Sequence, residues 1–185
     1  KHYSGTQARK GAILMEQAKG EIIYKAYERM DKSQLRNAFD EVLKARKELH
    51  QKGIAHQDMH EGNVLYDPAS KTLTLVDFGM ARLEPRAALI EALGTRRGKI
   101  DFGQVEEPGD YQSTGLFRKL NKGNAQSSNP TWTRFQANRK RVEAALQEEV
   151  PEIADASIRV IPRAVSRKLT KERALELIEM LYEGI

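Results

Sequence analysis

Three polar residues in the first half of the chain, Asp58, Asn63 and Asp77, have the types and spacing to act on a phosphate. They fall in the stretch IAHQDMHEGNVLYDPASKTLTLVDFGMARL, residues 54–83, in loops that precede or follow short strands, where side chains can converge. Asn63 and Asp77 offer hard oxygen ligands, the kind that binds magnesium when phosphate supplies other ligands. Asp58 is a third carboxylate nearby, free to orient an attacking hydroxyl or accept its proton. Gly62 and Gly79 allow tight backbone turns beside these groups. Such a set suits phosphoryl transfer, in which the protein mainly positions groups and neutralises charge.

The elements that must position these residues can be traced from periodicity. Residues Gly11 to Gln17, GAILMEQ, form a short apolar run that predicts a buried strand, closed by Gly20. Ile22, Ile23, Ala26, Tyr27 and Met30 follow at helical spacing. Asp31 and Ser33 are N-cap candidates for a long helix over 33–51. Its stripe of Leu35, Phe39, Val42, Leu43, Arg46 and Leu49 is apolar except for Arg46, and Gly53 supplies the stop. Val64-Leu65-Tyr66 and Thr72 to Val76 predict a hairpin around the turn Asp67-Pro68-Ala69-Ser70, with Asp67 capping the turn. The second half predicts helices over Ala87–Leu93, Gln112–Leu120, Thr133–Glu149 and Thr170–Tyr182. Loops are expected over Gly94–Asp110 and Asn121–Pro130, and Ser157 to Val165 is a strand candidate.

Composition narrows the class. At 185 residues, 39% hydrophobic and 31% charged, the chain suits one globular domain with a sizeable core. The absence of cysteine excludes disulfides, thiol catalysis and cysteine-ligated zinc, and fits a reducing cytosol. No apolar run approaches the roughly 18–20 residues that span a bilayer, and no N-terminal stretch resembles a signal peptide. A net charge of +5 carries no specific nucleic-acid signal. Arg82, Arg86, Arg96, Arg97 and Lys99 form a loose basic cluster, expected to be a solvated surface, with docking of an acidic or phosphorylated partner as the alternative. The chain begins at Lys1 rather than methionine, as a piece of a longer protein would.

His56-Gln57-Asp58 followed by Asn63 resembles the H-x-D-x-x-x-x-N catalytic loop of protein kinases, and Asp77-Phe78-Gly79 resembles their metal-binding D-F-G. The interval of fourteen residues from Asn63 to Asp77, holding one hairpin, is similar to that family's. DFGMARL is similar to the start of an activation segment. A second Asp101-Phe102-Gly103 lies too far from Asn63 and is taken as coincidence, with Asp101 a solvated loop acid. Upstream, ILMEQAKG resembles the strand and hinge that hold adenine. The resemblance makes Met15 the gatekeeper, turns the backbones of Glu16 and Ala18 to the adenine edge, and brings Glu21 to the ribose. It implies that Leu65 packs and touches the adenine, that Phe78 packs, and that His56 is structural. Asp110-Tyr-Gln-Ser-Thr-Gly115 resembles the D-x-x-S-x-G that opens a central helix, whose aspartate braces the catalytic loop. The resemblance covers roughly 11–123.

The fold implied is α+β: a mainly helical protein-kinase-like C-lobe over 21–185, with a small β-hairpin. Residues 1–20 would be the end of the N-lobe and the hinge strand, and the N-lobe would be largely absent from this chain. The resemblance implies an ATP- and Mg2+-dependent phosphotransferase acting on protein Ser/Thr hydroxyls, with Asp58 as base and Asn63 and Asp77 as magnesium ligands. The chain departs from the family's pattern in several places. Gln57 stands where regulated protein kinases carry an arginine that grips an activation-loop phosphate. His60 stands where Ser/Thr kinases carry lysine, and D-M-H-E-G-N resembles aminoglycoside- and choline-kinase-like enzymes, which gives a small-molecule kinase as the alternative. No A-P-E closes the segment, although Gly94-Thr95-Arg96 is similar to the G-T-R found just before it. No glycine-rich loop or V-A-I-K lysine is present, which leaves a pseudokinase scaffold binding a protein partner as a third reading. Compact bacterial effector kinases share such trimmed features. The location implied is the cytoplasm, or the host cytosol for an effector.

Overall fold

The computed structural model describes residues 17–26, 29–93, 95–96, 99–100, 129–153 and 161–185. In the first half the elements are β1 (Glu21–Ile22), α1 (Ile23–Ala26), α2 (Lys32–Gln51), β2 (Ile54–Ala55), β3 (Val64–Asp67), β4 (Thr72–Leu75) and β5 (Arg82–Leu83). Then come α3 (Pro85–Leu93), β6 (Thr95–Arg96), β7 (Lys99–Ile100), α4 (Pro130–Glu149), α5 (Ile161–Lys168) and α6 (Lys171–Leu181). The architecture is α+β, mainly helical, with small antiparallel sheets.

Gly20 turns the chain at φ +98°, and a Cβ there would lie 2.6 Å from the Tyr66 carbonyl oxygen. That close approach lays β1 along β3, pairing Glu21 with Tyr66 and Ile22 with Leu65. The helical spacing expected from Ile22 onward is corrected accordingly. Ile22 is strand, and the described helix runs only from Ile23 to Ala26. On the other side of β3, β4 pairs Val64 with Leu75 through Asp67 with Thr72, so the expected hairpin is present and β3 is the central strand. Val64 and Tyr66 are buried, while Leu65 lies half-buried on the opposite face.

α2 begins where its capping chemistry dictates. Asp31 Oδ1 accepts the Gln34 N–H at 2.8 Å, and Gln34 Oε1 accepts the Asp31 N–H at 2.9 Å. This reciprocal box satisfies two donors that the first turn cannot, and such a cap is worth about 1 kcal/mol. Ala38, Phe39, Val42, Leu43 and His50 form its buried face. Arg46, the charged residue in the apolar stripe, donates to the Glu91 and Ala92 carbonyls at 3.0 and 3.5 Å, serving the C-terminal end of α3. Gly53 ends α2 at φ +70°, and a Cβ there would meet Pro85 Cγ at 2.9 Å, so the turn packs directly against the start of α3.

α6 packs most extensively on α3 and also against α4 and α2. An aromatic series joins these layers: Phe39 meets Trp132 edge-on at 5.3 Å, Trp132 stacks on Phe135 at 5.6 Å, and Phe135 meets Tyr182 at 5.7 Å. α4 starts three residues earlier than its apolar spacing predicts, because Asn129 accepts the Thr131 and Trp132 N–H groups with Pro130 at the first position. Asn129 also donates to Asp40 at 3.0 Å, tying α4 to α2.

Two further expectations are corrected. Part of Ser157 to Val165, a strand candidate, belongs to α5, where Val165 and Leu169 are buried at helical spacing and Arg167 and Lys168 occupy the last turn. Part of Gly94–Asp110, expected as loop, carries the short pair β6–β7. The hinge strand over Gly11–Gln17 and the helix over Gln112–Leu120 lie outside the described residues, apart from Gln17. Among the described residues no helix is long and apolar enough to cross a membrane.

Candidate active site

The loop from His56 to Asn63 follows β2 and leads into β3, and Asp77 follows β4, so both approach the same end of the hairpin. His56 is fully buried. Its Nε2 lies 3.0 Å from the Val76 carbonyl oxygen and its Nδ1 lies 3.4 Å from the Asp58 amide nitrogen. A carbonyl can only accept, so Nε2 carries the proton and Nδ1 receives the Asp58 N–H. The imidazole thus ties the Asp58 loop to the residue before Asp77, a structural position. Val76 is held a second time, its N–H donating to the Asn63 carbonyl at 3.0 Å.

Asp58 and Asn63 are in direct contact. Asn63 Nδ2 donates to the Asp58 carbonyl oxygen at 3.0 Å and to Asp58 Oδ2 at 3.2 Å. This fixes the direction of the carboxylate and commits the amide nitrogen of Asn63 to Asp58. The other carboxylate oxygen, Oδ1, lies 3.7 Å from His60 Nε2. His60 Nδ1 accepts the Gly62 N–H at 3.0 Å, which places a neutral imidazole's proton on the nitrogen facing Asp58. Asp77 is exposed, in the left-handed region at φ 60°, with Oδ1 accepting the Gly79 N–H at 3.3 Å. The donor set fits magnesium: one amide oxygen and one exposed carboxylate, the small number of hard protein oxygens this ion takes when phosphates and water complete its shell. Among the described residues no group of three or more His, Cys, Asp or Glu side chains is placed to hold a metal ion.

The remaining expectations sort plainly. Phe78 packs on the His56 ring at 4.7 Å, as expected, while 45% of it stays exposed. It sits in a single turn over 78–80 with no described element above it, beside exposed Met80 and Leu83. Ala18 is half-buried irregular chain, and Met15 and Glu16 lie outside the described residues. Glu21 pairs with Arg29. Asp67 caps its turn, accepting from the Ala69 N–H and Ser70 hydroxyl at 3.0 and 2.7 Å; the Ser70 bond holds its carboxyl below the usual range. Arg86 does not belong to a free basic surface, because it pairs with Glu84 and donates to the Ser166 carbonyl. Arg97, Asp101-Phe102-Gly103 and Asp110–Gly115 lie outside the described residues.

The residue that sequence reasoning missed is Glu91, on α3. Its Oε1 accepts the His56 N–H at 3.1 Å and its Oε2 accepts the Gln57 N–H at 2.6 Å. Its carboxylate also faces His50 Nε2 at 3.0 Å, and His50 Nδ1 lies 2.8 Å from the Tyr182 hydroxyl. Burial alone would push the Glu91 carboxyl up, but the His50 and Gln57 bonds and the Arg46 charge together hold it below its ordinary value. Burial pushes His50 down despite the Glu91 bond, so the pair is a charged carboxylate and a neutral imidazole rather than an ion pair. The available signal was a single acid inside ALIEAL, flanked by the buried Ala88, Leu89, Ala92 and Leu93.

The family model described as the protein kinase domain matches residues 3–97, about half of the chain. The chain belongs to the protein kinase domain family. No curated protein and no solved structure matches it. The matched span of this kinase-family chain contains Asp58, Asn63, Asp77 and Glu91. It agrees with the resemblance carried by His56-Gln57-Asp58, Asn63 and Asp77-Phe78-Gly79.

Proposed function

We propose that the chain transfers the γ-phosphate of ATP to a hydroxyl, with Asp58 as the base and Asn63 and Asp77 as the residues that hold magnesium. The observation that carries this reading is the paired donation of Asn63 Nδ2 to the Asp58 carbonyl and Oδ2. With Oδ2 taken by Asn63, Asp58 Oδ1 would orient the acceptor hydroxyl and take its proton, and Asn63 Oδ1 would meet the cation. Bound magnesium would neutralise phosphate charge during transfer. Leu65, on the face of β3 away from Val64 and Tyr66, and the Ala18 backbone would line the adenine, with Met15 and Glu16 beside them. Residues 21–185 would act as the C-lobe and 1–20 as the end of the N-lobe and the hinge.

The acceptor proposed is a protein Ser/Thr hydroxyl, on the resemblance of DFGMARL to an activation segment. His60 favours a second reading, a small-molecule hydroxyl, because an imidazole rather than a lysine faces Asp58 Oδ1. The deciding measurement is ADP release with magnesium and ATP, with protein and small-alcohol acceptors supplied separately. Turnover that is lost in Asp77→Ala supports phosphotransfer, and the acceptor that stimulates it assigns the class. Equal turnover in Asp77→Ala overturns the assignment, and no turnover in either chain leaves the scaffold reading in its place.

A further inference from the structure

The catalytic loop is gripped by a chain of bonds that spans α3, α2 and the end of α6 and runs from the exposed Gln57 amide to the buried His50–Tyr182 pair. Glu91 presents both carboxylate oxygens to two successive backbone amides, those of His56 and Gln57. Gln57 sits at φ 63°, a left-handed conformation that is strained for a non-glycine residue. That turn reverses the chain immediately before Asp58, so whatever holds Gln57 also sets where the Asp58 side chain emerges. The 2.6 Å bond from the Gln57 N–H to Glu91 Oε2 is the contact that holds it.

Glu91 in turn cannot swing away. His50 Nε2 donates to Oε1, and since a neutral imidazole has one N–H, His50 Nδ1 must accept from the Tyr182 hydroxyl. Tyr182 and His50 are fully buried. Arg46 fixes the same turn of α3 through the Glu91 carbonyl.

We infer that Glu91 is a positioning residue for phosphotransfer, locking Gln57 in its left-handed turn so that Asp58 faces the acceptor, and that His50 and Tyr182 set the orientation of its carboxylate. The inference rests on the phosphotransfer reading for its kinetic consequence but not for its structural one. The two parts are therefore measured together on the full chain.

Glu91→Gln keeps the shape but replaces one acceptor oxygen by a donor, so at least one of the N–H groups of His56, Gln57 and His50 loses its acceptor. The expected result is a kcat lower by about tenfold or more, with KM for MgATP changed by less than about threefold. Hydrogen–deuterium exchange should accelerate by about tenfold in peptides covering 54–58 and stay unchanged in α4 and α6. His50→Gln, whose amide can still donate to Glu91, should keep kcat within about threefold, whereas His50→Leu should lose it as Glu91→Gln does. Unchanged kcat in Glu91→Gln, or equal losses in His50→Gln and His50→Leu, would overturn the assignment. Should the wild-type chain show no turnover, the phosphotransfer reading fails. The exchange arm then still decides the brace, because unaltered exchange over 54–58 in Glu91→Gln sinks it.

Discussion

The loop from His56 to Asn63 has two faces, held in opposite ways. Its inward face is backbone, two amides bonded at 2.6 and 3.1 Å to a carboxylate that is itself fixed by His50. Its outward face is side chain. Among the described residues, the Asp58 side chain has bonds only from Asn63 and a 3.7 Å approach from His60, and Asp77 has one 3.3 Å bond from Gly79. The difference follows from what each face would have to do. Groups proposed to exchange partners with a hydroxyl or a cation are left with unspent acceptors. The backbone they hang from is fixed by short, charge-assisted bonds to one carboxylate.

The sharpest way to break this comparison is to remove an outward group without touching the inward one. Asp58→Asn should reduce kcat by about a thousandfold while MgATP still binds, because only the proton acceptor is lost. Pre-steady-state transfer and isothermal titration with MgATP check the two halves of that statement. A kcat within tenfold of wild type would move the base elsewhere. Asp77→Ala should act on the other quantity, weakening MgATP binding by about a hundredfold and leaving metal-free ATP binding unchanged. Equal weakening in both titrations would show Asp77 to be structural.

Much of the outward face was legible in the sequence. The spacing of Asp58, Asn63 and Asp77 and the hairpin between them can be read because the residues are close along the chain and their turn chemistry is local. α2 was legible for the same reason, since Asp31 and Gly53 mark both ends. The inward face was not. Glu91 is 33 residues from Asp58, and nothing in ALIEAL says which backbone it will meet once α3 packs beside β2. The family resemblance places a brace on Asp110, which lies outside the described residues, whereas the brace proposed above comes from α3. β1 and β5 escaped notice because two-residue strands are made by a tertiary partner rather than by periodicity. The strand expected over Ser157 to Val165 gives way to helix from Ile161 onward, because Val165 and Leu169 are buried on one side at helical spacing.

The inward face should declare itself through pH. His50 has a folded-state value below its ordinary 6.5, lowered by burial and Arg46 against the Glu91 bond. Below pH 6.5 the unfolded chain therefore takes up a proton that the native chain refuses, and stability falls as pH drops toward the folded value. Glu91 is depressed below 4.5, so its contribution is present above that pH and is lost as pH falls through its folded value. Tyr182 is pushed up to about 12 by burial, so stability also falls as pH rises from 10. The expected profile is a plateau between about pH 6.5 and 10, with an acid slope of at most about 1.4 kcal/mol per pH unit from His50. Urea midpoints across pH 5–7 check it, and His50→Gln should flatten that part of the curve.

The smallest effect tests whether the two ends of α2 are independent. Asp31 caps the N-terminus and His50 enters the brace at the C-terminus, about five turns away. Asp31→Ala removes the acceptor for the Gln34 N–H and should cost about 1 kcal/mol, a fall in melting temperature of about 2–4 °C for a chain of this length. Both faces of the loop lie beyond the other end of the helix, so kcat should not change. Combined with His50→Gln, its stability loss should add to within about 0.5 kcal/mol. A kcat that falls with Asp31→Ala would mean that α2 moves as a rigid lever on Glu91. The inward grip would then depend on the whole helix rather than on the bonds at its end.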